Sequence, residues 1–178
     1  GYELYVKSEN AKKLFEILVS EGKKFNLSLC GMHAMDIMRM ESGFLHWGHD
    51  ISPEENQYEA GLNFAISYKK NIDFVGKNSL IKIKKKKQFV MLTLKNSKPG
   101  EPLMLHDEPI YFNGNIIGRT TSGNYSFNFD KNLAFGYLKT DENINSLKNG
   151  LIEIEIEKKK HEAEILTKPL NQKNYKNS

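Results

Sequence analysis

From residue 88 onward the apolar residues of this chain recur at every second position, and no other feature constrains its fold so tightly. In Leu151 to Glu157, Ile152, Ile154 and Ile156 alternate with Glu153, Glu155 and Glu157. Successive side chains of a strand point to opposite faces, so this segment has one buried face and one wet face. The same period predicts strands over Gln88–Leu94, Pro109–Phe112, Ile116–Thr121, Leu133–Lys139 and His161–Leu166. Asn113-Gly114 between two apolar runs is a hairpin signal. Short strands punctuated by turns imply a small antiparallel β-barrel or sandwich.

The first half of the chain has a mixed period. Tyr2–Val6 reads as a strand. A helix follows, with Ser8 as its N-cap, Leu14, Phe15, Leu18 and Val19 at helical spacing, and Gly22 as its C′ residue. Gly31 opens a second helix whose apolar face is rich in core-filling methionines, Met32, Met35, Met38 and Met40. Ser52-Pro53-Glu54-Glu55 has the form of a helix start. Leu62–Tyr68 alternates like a strand, and Asp73–Lys86 contains a further helix. The fold class is therefore α+β. The boundary falls near residues 84–88, giving a first domain over 1–86, a barrel over 87–170 and a polar tail over 171–178.

Composition narrows the functional classes. A chain of 178 residues with 10 Phe and 8 Tyr can bury a core and is not disordered. Its apolar runs are too short to span a membrane. The single cysteine, Cys30, excludes an internal disulfide and points to a reducing, cytoplasmic setting. The net charge of +4 is mild. The run Lys82-Ile83-Lys84-Lys85-Lys86-Lys87 has no interleaved aromatics, so a solvated face or linker explains it better than nucleic acid.

One stretch, Met38 to Ile51, gathers Arg39, Glu41, His46, Trp47, His49 and Asp50. Such a cluster either shapes a pocket or makes a buried polar joint, with Arg39 pairing Glu41 or Glu59. His46-x-x-His49-Asp50 has no partner at a zinc-ligand spacing, so no metal is expected. Cys30 and His33 lack a supporting third group, which leaves no predicted nucleophile. Glu3 is a different case. Flanked by Tyr2 and Tyr5, its carboxylate can accept hydrogen bonds from a flat polar heterocycle.

Taken in order, Gly1-Tyr2-Glu3-Leu4-Tyr5-Val6, Arg39-Met40-Glu41, Trp47-Gly48-His49-Asp50-Ile51 and Glu59-Ala60-Gly61-Leu62 resemble the second half of the folate-binding aminomethyltransferase domain of the glycine-cleavage T-protein family. Phe74-Val75-Gly76-Lys77, Thr121-Ser122-Gly123 and Leu133-Ala134-Phe135-Gly136-Tyr137 continue the resemblance into that family's C-terminal barrel. Trp47 and the phrase Leu105-His106-Asp107-Glu108-Pro109-Ile110 are similar to the folate-binding portion of FAD-dependent sarcosine and dimethylglycine dehydrogenases.

The resemblance implies a chain that binds tetrahydrofolate, with FAD confined to an N-terminal part that is absent here. It implies cofactor contacts at Glu3, to the pterin ring, at Phe44, where the family can carry a tyrosine, and at Tyr175. Met35 stands where T-proteins have a folate-contacting arginine, a departure that favours the dehydrogenase subgroup. The family's one-carbon-transfer aspartate lies before the strand at which this chain starts, so no catalytic residue is expected. The chain then reads as an inactive fragment whose partners are folate and the remainder of the same enzyme, with an exposed face that offers a route to homo-oligomers. The rival readings are a T-protein or related demethylase, and a non-catalytic interaction module.

Overall fold

Six antiparallel strands close into a barrel in the computed structural model, which describes residues 2–70, 72–139, 144–147 and 149–171. The strands are β1 (Gln88–Leu94), β2 (Pro109–Phe112), β3 (Asn115–Ser126), β4 (Lys131–Leu138), β5 (Ile152–Ile156) and β6 (Lys159–Leu166). They run around the barrel in the order β1-β4-β3-β2-β5-β6, and β6 pairs back onto β1. Closure gives each of these strands a neighbour on both sides. The predicted alternation turns Ile152, Ile154 and Ile156 into the interior, beside Val90, Leu92, Leu94, Ile110 and Leu138. At the β2–β3 hairpin, Asn113 (φ 48°) and Gly114 (φ 84°) both take the positive φ values that this tight turn requires. β3 is longer than predicted, and its register against β4 shifts between Thr120 and Ser122.

β4 breaks the alternation, with an unbroken buried run from Asn132 to Leu138. Its second face is covered from outside the barrel. Leu133 and Phe135 pack with Met40 of helix α2 (Met32–Glu41), joined by Ile37, Phe89, Met91, Leu166 and Leu170. A strand buried on both faces has no wet side to mark with polar residues.

The chain divides into two compact units, residues 1–34 and residues 35–178. The first contains α1 (Ser8–Gly22) and a 3₁₀ turn over Lys23–Phe25, and Gly22 is the one buried residue of α1. The second contains the C-terminal part of α2, the barrel and two short helices, α3 (Lys77–Lys82) and α4 (Ile144–Leu147).

Several sequence-based boundaries need correction. Lys7, not Ser8, is the N-cap of α1, and no side chain caps it. Gly22 lies within the helix, and the left-handed residue that ends the helical segment is Asn26 (φ 56°). Neither Tyr2–Val6 nor Leu62–Tyr68 is a strand; the latter contains a 3₁₀ turn, Asn63–Ala65. Alternation prepares a segment for a sheet but cannot supply the neighbour whose backbone it must pair with. Ser52 to Glu55 is a closed turn, because the Ser52 N–H and hydroxyl both donate to Glu55 Oε2, at 2.8 and 2.7 Å. No helix among the described residues is long and apolar enough to cross a membrane.

Candidate functional site

Asp50 organises the Met38–Ile51 cluster, and its side chain is fully buried. Oδ1 accepts from Thr121 Oγ1 at 2.5 Å and Ser122 Oγ at 2.8 Å, both on β3. Oδ2 accepts from Arg39 Nη1 at 2.5 Å and from the His46 N–H at 2.9 Å. Arg39 therefore pairs with Asp50, and with Asp36 at 2.6 Å, rather than with Glu41 or Glu59.

Glu41 and Glu59 hold other joints. Glu41 Oε1 accepts from Ser126 Oγ at 2.6 Å, and both its oxygens accept from Asn128 Nδ2. Glu59 Oε1 accepts the Lys86 N–H at 2.9 Å, and its carbonyl accepts the Phe89 N–H at 2.8 Å. The buried carboxylates of Asp50 and Glu41, with the Glu59 carbonyl, thus fasten residues 35–60 to the barrel. Buried charges fully engaged by donors fix geometry. The cluster is a joint.

Beside this joint lies a cleft of about 1000 Å³. Its charged lining includes Lys87, Glu55, Arg119 and Asp107, with His49 and His106 and the ring of Tyr137. Lys87 forms an ion pair with Glu55 and stands 5.0 Å from the Tyr137 ring centroid. Arg119 Nη1 donates to Asp107 Oδ1 at 2.7 Å, and the His106 ring meets the other Asp107 oxygen at 3.0 Å. Burial pushes the Glu55 carboxyl up, but Lys87 and Ser52 outweigh it and hold it below its ordinary value. Burial, with nearby carboxylates, raises the Tyr137 hydroxyl, which donates to the Asp50 carbonyl at 2.8 Å. These charges largely offset one another in pairs, so the cleft suits polar solutes without selecting one sign of charge. Its walls come from separated segments, of which sequence reading marked the Met38–Ile51 cluster, through His49 and Asp50, and the residue 105–110 phrase, without joining them into one cleft. No group of three or more His, Cys, Asp or Glu among the described residues is placed to hold a metal ion.

The predicted contact residues stand in different parts of the chain. Glu3 is exposed in the first unit, where its Oε2 accepts the Tyr5 hydroxyl at 2.6 Å. That bond raises the Tyr5 pKa above its ordinary value. Tyr2 and Tyr5 present nearly their whole rings to solvent. Phe44 belongs to the second unit, in the turn after α2, and is 56% exposed. Met35 is also exposed and brings no positive charge. Tyr175 lies outside the described residues.

Comparison with known proteins matches two domain families along the chain. The GCVT N-terminal domain matches residues 1–70, and the glycine cleavage T-protein C-terminal barrel domain matches residues 87–171. The chain is 33% identical over 169 residues to 4-methylaminobutanoate oxidase (formaldehyde-forming) of Paenarthrobacter nicotinovorans, covering 95% of this chain and 20% of that protein. It is 33% identical over 173 residues to human mitochondrial dimethylglycine dehydrogenase, covering 96% of this chain and 19% of that one. The glycine cleavage system aminomethyltransferase T from Bartonella henselae has the same fold, with a TM-score of 0.74 and 23% identity over 91% of this chain and 44% of its own. The chain thus spans about a fifth of the length of the two curated relatives.

Proposed function

The chain belongs to the glycine-cleavage T-protein family, and on that premise we propose that it is the tetrahydrofolate-binding part of an enzyme that passes a one-carbon unit from an N-methylated amine to tetrahydrofolate. The reading takes its substrate class from two relatives that match nearly the whole chain. Both curated relatives act on compounds whose names carry an N-methyl group, 4-methylaminobutanoate and dimethylglycine. Trp47 and the residue 105–110 phrase point to the same subgroup. The domain division at 1–86 and 87–170 is part of this reading, and the two family matches support it.

The residues present suit a folate. A pterin edge offers N–H donors, and the exposed Glu3 carboxylate has acceptor positions beyond the one that Tyr5 uses. The Tyr5 hydroxyl orients that carboxylate. The exposed ring of Phe44 provides an aromatic face for stacking, and Tyr175 is the third proposed contact. When bound, tetrahydrofolate supplies the nitrogens that receive the one-carbon unit. In this reading the chain binds and orients the cofactor. A reducing, cytoplasmic compartment suits the exposed lone Cys30.

Calorimetry with 5-methyltetrahydrofolate tests the assignment. Glu3→Ala removes a charged acceptor and weakens binding by roughly 1.5–3 kcal/mol; unchanged affinity removes Glu3 from the site. The T-protein designation of both matched domains favours a second reading, an aminomethyltransferase. Bound flavin in the full-length enzyme supports the dehydrogenase, and a full-length enzyme without flavin supports the transferase.

A further inference from the structure

We infer that Arg39 is a positioning residue that holds Phe44 in place for ligand stacking, an inference that rests on the folate-binding reading above. Phe44 follows the end of α2 by three residues. The helix closes with the Gly43 N–H donating to the Met40 carbonyl at 3.1 Å and the Phe44 N–H donating to the Arg39 carbonyl at 2.9 Å. This is the paired bonding of a Schellman cap, and it needs a left-handed residue at Gly43, whose φ is +74°. A Cβ at Gly43 would also stand 2.7 Å from Pro169 Cγ, so glycine is required there on both counts.

The Phe44 carbonyl is held as well. It accepts from Arg39 Nη1 at 3.2 Å. One residue therefore binds both polar groups of the Phe44 backbone, the N–H through its own carbonyl and the carbonyl through its guanidinium.

The guanidinium is itself anchored. Nε donates to Asp36 Oδ1 at 2.8 Å, Nη2 to Ser122 Oγ at 2.8 Å, and Nη1 to Asp50 Oδ2 at 2.5 Å. Its plane lies over the Phe135 ring, 5.6 Å from the centroid. Ser122 is on β3 and Phe135 on β4, so the bracket around Phe44 is mounted on the barrel wall. A planar fork of fixed donors can satisfy these partners together, and a lysine ammonium cannot reproduce that geometry. An aromatic ring presented on a pre-ordered backbone loses less conformational freedom when a ligand stacks on it. In this role Arg39 acts through Phe44.

The test uses the whole chain, 5-methyltetrahydrofolate as the calorimetric probe, and hydrogen exchange at the Phe44 amide as an independent readout. Arg39→Lys is expected to weaken binding about tenfold, the loss of a charged hydrogen bond's ordering effect. In a Phe44→Ala background the same change should add less than about twofold, because the two residues act as one unit. Ser126→Ala breaks the Glu41 joint without touching Arg39 or Phe44, so it should lower the melting temperature and leave affinity unchanged. Phe44 amide exchange should rise about tenfold or more in Arg39→Lys as the cap opens.

A full additional loss from Arg39→Lys in the Phe44→Ala background overturns the inference. So does a Ser126→Ala variant that loses as much affinity as Arg39→Lys. If Arg39→Lys does not fold, Asp36→Asn loosens the guanidinium from its exposed side; it should weaken binding about threefold, again only while Phe44 is present. If the unmutated chain does not bind the probe, the folate reading falls for this chain. Phe44 exchange then decides the bracket alone, and unchanged exchange in Arg39→Lys overturns it.

Discussion

The barrel and the first 34 residues treat their hydrophobic side chains in opposite ways. In the barrel, Leu92, Ile110, Leu138 and Ile154 are fully buried, and the strands pair all the way round. In the first unit, Phe15, Ile17 and Leu18 of α1 are each at least 40% exposed, as are Tyr2, Leu4 and Tyr5 before it. The difference lies in where each pattern finds its complement. Period-two segments joined by tight turns meet partners of their own kind within a few dozen residues. A helical stripe or a single alternating segment buries nothing until another surface is supplied. Stability is therefore concentrated in the barrel and its joint, while the proposed pterin contact, Glu3, sits in the unit with little core.

The joint offers the largest effect by which to break this comparison. Asp50→Ala leaves the Arg39 guanidinium without its buried partner and should cost about 3–5 kcal/mol in urea unfolding. A loss below about 1 kcal/mol would mean that residues 35–60 are not fastened as described. A barrel truncation comes next. Leu92→Ala should cost about 2–5 kcal/mol, the usual range for a fully buried leucine. Phe15→Ala, a larger truncation on α1, should stay within about 0.5 kcal/mol, since its ring is already half exposed. A large Phe15→Ala effect would sink the contrast between the units.

The parts legible in the sequence are those whose information is local. The strand predicted over Pro109–Phe112 coincides with β2, and Asn113-Gly114 forms the hairpin. Mixed helix and strand content with a closed antiparallel barrel agrees with the α+β reading. What was not legible depends on distant partners. Arg39 found Asp50 eleven residues on, and Glu41 found Ser126, 85 residues away, because the chain brings β3 against α2. No spacing rule connects such positions. Tyr2–Val6 has the composition of a strand, but strand formation is a property of a pair. The bracket on Phe44 did leave a local signal, Gly43 directly before it at a helix end. The cleft by Lys87 and Arg119 is assembled from segments that carry no common motif.

The most direct test is hydrogen exchange across the chain with and without saturating 5-methyltetrahydrofolate. The account predicts that amides around Glu3 and at Phe44 gain protection, while the interior strands β1, β4 and β5 are slow in both states and barely change. Protection gained in the barrel strands, with none near Glu3 or Phe44, would contradict it.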